Sequence, residues 1–290
     1  MTSNLISKKH AARVAGGISR SPFKLCLGGL VLLHLFAAGS ILAHDTWVAP
    51  SDYFAEPGKA VIFELTSGMK FPALETGPKT ERIAKAGFRS AAEKGDLSDL
   101  KGGKEALRGT TSFSQPGIVT VWFEAKPKEL ELTDDDVREY LEEIHAPESV
   151  RAVWDKRQKG VKWKESYIKC AKTVVVVGDG ADDKTFAEPV GMSLEMVPLT
   201  NPAKAQPGEK LTLKLLRDGQ PLPQASVALV REGHADRIFQ VTDAEGRVTF
   251  TLGKAGQYML SSVILEPTDD SSIWKSRFAT LTLQIKERSP

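Results

Sequence analysis

The stretch best suited to chemistry is HDTWVAP, which begins at His44 directly after the small residue Ala43. A small residue at this place suits signal peptidase, and cleavage after Ala43 would make His44 the amino-terminal residue. One residue would then carry a free α-amine and an imidazole. Their ordinary pKa values of about 7.7 to 8.0 and about 6.5 let both nitrogens lose their protons near neutral pH, so together they can chelate a transition metal. In the alternative interpretation the peptidase is indifferent to the residue after Ala43, and His44 has no role.

Two further residues complete the predicted metal set of His44, Asp45 and His234. Asp45 would add a carboxylate ligand or orient the imidazole ring of His44. His234 lies in the turn EGHAD between two predicted strands, where a loop on a rigid sheet can present a ligand. His145 follows a predicted helix and is interpreted as a helix-end residue, because a cation is favourable there. The metal expected is divalent nickel, cobalt or copper, and no organic cofactor is expected.

Residues 1–43 are predicted to be a signal peptide. Five cations and no carboxylate precede Asp45, and an apolar run from Leu25 to Leu42 ends in small residues. This pattern predicts a periplasmic protein that meets the membrane only if the leader stays uncleaved. A retained anchor is the competing interpretation, because the run approaches the length of a spanning helix.

Charge and cysteine content argue against nucleic-acid binding and against a fold held by an intramolecular disulfide. Five of the 39 Lys+Arg lie in the leader, which leaves 34 against 37 Asp+Glu and a formal net charge of −3. The mature part also lacks a basic tract interleaved with aromatic residues, so nucleic acid is not an expected partner. After the leader only Cys170 remains, so no intramolecular disulfide can form and the apolar core must hold the fold.

The first half of the mature chain mixes strands with helices. Apolar and β-branched runs predict strands at residues 59–66, 117–126 and 167–177, with a short strand near Arg82. A helix is predicted after Thr133, and a second helix is predicted to have Pro147 in its first position. The two helices would form a hairpin inserted into a β domain.

From Gly191 onward the pattern becomes regular. Seven short apolar segments follow one another with turns between them and no helix, which predicts an antiparallel sandwich of immunoglobulin or prealbumin type. The predicted fold is therefore mainly β, with two antiparallel β-sandwich domains at residues 44–187 and 188–290, the first carrying the helical hairpin.

Several segments resemble the domain-of-unknown-function 4198 family. They are HDTWVAP, ESYIKCAKTVVVVG, the stretch from PVGMSLEMVPL to QASV, the TDAEGR turn and FATLTL, which together extend from His44 to about Ile285. Proteins of this family are exported by bacteria and are often labelled as nickel or cobalt uptake accessory components. The resemblance implies a β-rich periplasmic protein linked to divalent metals and to an envelope metal transporter. Where many members carry a histidine, this chain has the segment Ser261-Ser262-Val263-Ile264.

Three function classes are consistent with these observations. The first is a periplasmic nickel- or cobalt-binding or uptake accessory protein that uses His44. The second is a non-catalytic binding or structural module of the envelope. The third is a copper oxidase with a histidine brace, which would need another imidazole facing His44. The common catalytic motifs HExxH, GxSxG and the Walker phosphate loop are missing from the sequence, so the protein is not expected to be an enzyme.

Overall fold

The computed structural model describes residues 44–157, 160–180, 182–234, 236–270 and 272–287. The predicted leader and its cleavage point after Ala43 lie outside these residues. Within the described ranges, neither helix has the length and apolar character needed to cross a bilayer.

Strands dominate the described chain, with two α-helices between the eighth and ninth strands. The strands are β1 (Asp45–Pro50), β2 (Phe54–Ala55), β3 (Ala60–Gly68), β4 (Ile83–Arg89), β5 (Lys94–Asp96), β6 (Leu107–Ser112), β7 (Gly117–Ala125), β8 (Lys128–Leu132), β9 (Trp163–Val177), β10 (Leu194–Pro198), β11 (Lys210–Arg217), β12 (Gln220–Pro221), β13 (Ser226–Arg231), β14 (Ile238–Val241), β15 (Arg247–Thr251), β16 (Gly256–Pro267) and β17 (Ile273–Ile285). The helices are α1 (Asp134–Glu143) and α2 (Glu148–Asp155).

The described strands form three sheets. The largest has ten strands, with the path β14-β13-β16-β17-β9-β7-β4-β5 and with β2 and β8 also paired to β9. A three-stranded sheet has the order β1-β3-β6, and a four-stranded sheet contains β10, β11, β12 and β15. The mainly β prediction is therefore confirmed. The expectation of purely antiparallel sheets is wrong, because β17 and β2 run parallel to β9.

The second half of the central strand β9, residues 170–177, contributes to two cores because both of its faces are buried. Cys170 and Val174 point into a cluster shared with the four-stranded sheet. Ala171 and Val175 point into a second cluster shared with the three-stranded sheet. Successive side chains of a strand alternate between its faces, so a strand covered on both sides reads as one continuous apolar run.

The observed sheets do not divide at the predicted border between residues 187 and 188. β17 belongs to the second predicted range, yet it pairs with β9 from the first over residues 273–282. The ten-stranded sheet thus continues across the two ranges 44–187 and 188–290. Pairing between strands that are far apart in the chain leaves no local periodicity in the sequence. The change from mixed to regular strand spacing near residue 188 therefore did not reveal that β9 and β17 are neighbours.

The helices begin close to where the sequence placed them. Thr133 caps α1 through a capping box with Asp136, as its residue type predicts. Pro147 is the N-cap of α2 and not its first helical residue, which corrects the prediction by one position. His145 follows α1 with a φ of 49°, and its ring stacks on Phe239 at 3.6 Å between centroids.

An aromatic cluster joins these helices to the large sheet. Trp163 is the first residue of β9 and Trp274 is the second residue of its parallel neighbour β17. They therefore lie at the same end of the sheet, and their rings stack at 4.4 Å. Trp154 of α2 and Tyr140 of α1 meet Trp163 edge-on, at 5.1 and 6.2 Å. Such pairs add to the stabilisation from the buried area of the rings.

Candidate functional site at the first strand

Side chains of the large sheet hold β1 and the residue before it by their carbonyl groups. On one side β1 pairs with β3 through backbone hydrogen bonds. Three carbonyl oxygens, at every second position, accept from side chains of β9 and β17: His44 O from Lys169 Nζ at 2.6 Å, Thr46 O from Thr280 Oγ1 at 2.6 Å, and Val48 O from Thr282 Oγ1 at 2.6 Å. These bonds fix the position of the backbone at His44.

The side chains of β1 face two different clefts. Asp45 and Trp47 line a cleft of about 570 Å³, which we call the Arg237 cleft after the arginine beside Asp45. Thr46, between them in sequence, lines a cleft of about 560 Å³ on the other side, which we call the Lys169 cleft. The alternation of a strand accounts for this separation.

The Arg237 cleft contains an ion pair between Asp45 and Arg237. Arg237 Nη2 donates to Asp45 Oδ2 at 2.7 Å, and Nη1 donates to Ser261 Oγ at 3.2 Å. Glu143, at the end of α1, lines the same cleft. Burial raises the pKa of Glu143, and the nearby Asp45 raises it further, while Arg237 opposes this change. The cleft therefore contains one carboxylate paired with the guanidinium and a second carboxylate, Glu143, in its lining.

The predicted metal residues are only partly brought together. Asp45 and His234 line the Arg237 cleft, with His234 exposed on the turn between β13 and β14. His44 precedes Asp45 in the chain, but its side chain does not line this cleft. Within the described ranges, no three side chains of the types His, Cys, Asp and Glu converge in a metal-binding arrangement. Asp45 is already the partner of Arg237, which places it better for orienting its neighbours than for direct ligation.

The electrostatic surroundings of His44 favour its neutral form. Burial lowers the pKa of its imidazole, and the ammonium of Lys169 lowers it further, against smaller opposite effects of Glu75 and Asp45. Burial also lowers the pKa of Lys169 to about 8, opposed by Asp45 and reinforced by Lys128 and Arg82. A neutral imidazole is the form that ligates metals, so His44 carries a competent donor near neutral pH.

Sequence reasoning missed the residues that position this site. Lys169, Thr280 and Arg237 lie far from His44 in the chain. Lys169 lies in the segment ESYIKCAKTVVVVG and Thr280 in FATLTL, but neither segment indicated contact with His44. The one available signal was the alternation of threonines in TLTL near the end, which puts Thr280 and Thr282 on one face of a strand. That alternation predicts that the two threonines lie on one face of a strand, but not that they donate to the carbonyl groups of Thr46 and Val48.

These features define a β-rich protein with an anchored first strand between two clefts. The chain belongs to the family described as domain of unknown function (DUF4198), whose profile matches residues 41–266. The match begins just before His44 and includes β1, both helices and most of the strands. No curated protein matches the sequence.

Several solved structures show weak similarity to the chain. The D0-D1 domain of intimin has 11% sequence identity and a TM-score of 0.20, with 81% of this chain and 96% of that chain covered. The fibronectin(III)-like modules of Clostridium thermocellum CbhA have 11% identity and a TM-score of 0.20, with coverages of 83% and 94%. The Yersinia pseudotuberculosis adhesin InvE has 13% identity and a TM-score of 0.21, with coverages of 81% and 58%. Scores of this size do not define a shared fold.

Proposed function

We propose that the protein is a periplasmic binding or uptake accessory protein for a divalent transition metal, nickel or cobalt, and that it binds the metal through His44. After cleavage behind Ala43, the α-amine and imidazole of His44 would supply two nitrogen ligands. The observation that carries this proposal is the anchoring of β1, because the bond from Lys169 to the carbonyl of His44 holds the terminal residue in place. A terminus held in this way loses less freedom when it chelates an ion.

The surroundings of His44 support transient binding of a metal ion better than permanent storage of it. His44 supplies two donors, and Asp45 is neutralised by Arg237 at 2.7 Å. A metal held by two nitrogens keeps open coordination positions that a partner protein can fill. This property suits an accessory protein that passes its ion to an envelope transporter.

The test compares a protein that starts at His44 with one that carries a single glycine before it. The glycine blocks the amine of His44 and leaves the imidazole unchanged, so we expect metal affinity to fall at least about tenfold, the equivalent of about 1.4 kcal/mol. Titration calorimetry should give the order Cu(II), then Ni(II), then Co(II), because nitrogen ligands follow that intrinsic series. Affinity should weaken as the pH falls from about 8 to about 6, where protons compete for both nitrogens.

Two variants serve as controls for the comparison of the proteins with and without the added glycine. His44→Ala should lose the imidazole contribution, while His234→Ala should leave the affinity close to the wild-type value because His234 is not one of the two donors. Equal affinity with and without the added glycine would refute the amino-terminal site. The second candidate function, a non-metal binding module of the envelope, would then be favoured, and the two clefts beside β1 are the observation that supports it.

A further inference from the structure

The Lys169 cleft has an excess of positive charge in its lining. Its charged lining residues are Lys79, Glu81, Arg82, Lys128 and Lys169. Lys79 and Glu81 lie 4.0 Å apart and offset one another. In the described part of the chain, no carboxylate oxygen lies within 4.0 Å of the other three cations. Among the described residues, the cleft therefore carries three cations without a carboxylate partner.

Two of these cations are held in place by uncharged groups. Arg82 Nη1 donates to the backbone oxygen of Pro127 at 2.8 Å. Lys169 Nζ donates to the backbone oxygen of His44 and lies 5.9 Å from the centre of the Tyr167 ring. Carbonyl and aromatic groups orient a cation without cancelling its charge. The arrangement is thus ready to receive an anionic group.

The inner surface of the cleft is apolar. Leu65, Phe123 and Ala171 line it, and all three belong to the core cluster between the three-stranded and ten-stranded sheets. Thr46, Ser67 and Tyr167 add hydroxyl groups to the lining, and those of Thr46 and Ser67 are hydrogen-bonded to each other at 2.6 Å. A cleft with a mostly apolar lining and a few convergent polar groups is typical of a small-molecule site. An inorganic ion would leave the apolar floor in contact with water.

We propose that the Lys169 cleft binds a small organic anion, with its charged group at Arg82, Lys128 and Lys169 and its apolar part over Leu65 and Phe123. A carboxylate is the simplest group of this kind, since Arg and Lys both donate charge-assisted hydrogen bonds to it. The proposal goes beyond metal binding by His44 and does not depend on it. No residue assigned to the anion is a metal ligand, and the bond from Lys169 to the His44 carbonyl is the contact that the two proposals share.

Binding of hexanoate to the purified full chain tests the proposal, with the neutral hexanamide and inorganic phosphate as matched probes. By titration calorimetry at low salt, we expect saturable binding of hexanoate and at least about tenfold weaker binding of hexanamide, because only the acid carries the charge. Phosphate should neither bind comparably nor displace hexanoate. Absence of hexanoate binding, or equal binding of the amide, would overturn the proposal. Phosphate binding as tight as hexanoate would overturn the choice of an organic ligand.

Variants locate the binding in the cleft. Lys128→Gln should weaken hexanoate binding about fivefold, because this is the effect of losing one nearby opposite charge at a solvent-exposed position. The matched control is Lys126→Gln, because Lys126 is exposed, lies two residues away and does not line the cleft. Thermal unfolding of both variants verifies that they fold, and Arg82→Gln provides a second lining variant. Equal affinity of the Lys126 and Lys128 variants would contradict the assignment.

Discussion

At the residue scale, the buried carboxylates Glu195 and Glu165 both have hydrogen-bond partners, but only Glu195 is paired with a cation. Glu195 is paired with the fully buried Lys172 at 2.6 Å and also accepts from three backbone N–H groups, those of residues 190–192. Glu165, in contrast, is satisfied by uncharged donors. It accepts from Tyr140 Oη at 3.1 Å, from Trp163 Nε1 at 2.7 Å and from Ser276 Oγ. Burial raises the pKa of Glu165 and outweighs these three hydrogen bonds, which favour the charged form.

This raised pKa predicts a pH dependence of stability. Between the unfolded pKa of about 4.5 and the higher folded pKa, the folded state binds more protons than the unfolded state, so the stability contributed by Glu165 falls as the pH rises. Glu165→Gln removes this titration. In urea denaturation experiments we therefore expect the free energy of unfolding of the variant, relative to wild type, to improve as the pH rises above about 4.5. The improvement should stop once the pH exceeds the pKa of Glu165 in the folded state.

Glu131 provides a control with the opposite sign. It is exposed, and its hydrogen bond with Lys162 lowers its pKa. Glu131→Gln should therefore lower the free energy of unfolding slightly at pH values above the unfolded pKa of Glu131. This difference from wild type should disappear as the pH falls. A Glu165→Gln variant whose relative stability does not change with pH would show that Glu165 titrates alike in both states.

At the element scale, the helices are secured to the sheet by aromatic packing at the beginnings of β9 and β17. Trp163 is fully buried and touches rings from both helices and from β17. The two helices have only ten and eight residues, lengths at which an isolated helix is marginal in water. Their persistence therefore depends on packing against the sheet, in which Trp163 is a central contact.

Trp163→Ala is expected to lower the free energy of unfolding by about 3 to 5 kcal/mol, the usual range for deleting a buried Trp ring. The loss should be local first. In hydrogen–deuterium exchange, amides of residues 134–155 should lose more protection than amides of β10 and β11. The control is Trp122→Ala, because Trp122 is only partly buried and packs against the other core cluster. A uniform loss of protection in the Trp163 variant would contradict this dependence.

At the scale of the whole molecule, the ten-stranded sheet makes the predicted halves depend on one another. A chain ending at residue 187 would lose β17 from one edge of β9. It would also lose the four-stranded sheet that covers Cys170 and Val174. A strand built with two buried faces cannot expose one of them to water without losing the stabilisation from its burial.

The expected behaviour is therefore a single cooperative unfolding transition for the chain from His44 to Pro290 and failure of residues 44–187 to fold alone. Circular dichroism and fluorescence should give coincident urea curves for the longer chain. The shorter chain should show little amide protection. A stable, protected 44–187 fragment would instead support two independent domains.

The sequence by itself determined the features that depend on neighbours along the chain. The Thr133 cap and the strands near 60, 118 and 170 follow from residue types and periodicities within a few positions, and the structure has them close to where they were predicted. The burial of Cys170 followed from its place in an apolar strand. His44 attracted attention because of its chemistry and its place after Ala43, again a local property.

The tertiary structure decided which distant residues meet. The parallel pairing of β9 with β17, the bond from Lys169 to His44 and the ion pair of Asp45 with Arg237 all join segments that are far apart in the chain. Asp45 and Arg237 are 192 positions apart. Such contacts are selected by the packing of whole sheets, in which many weak interactions are satisfied together. No local pattern encodes that choice. For this reason the sequence pointed to His44 as a chemical residue, while the fold alone revealed the lysine bonded to its carbonyl and the two clefts lined by the strand that follows it.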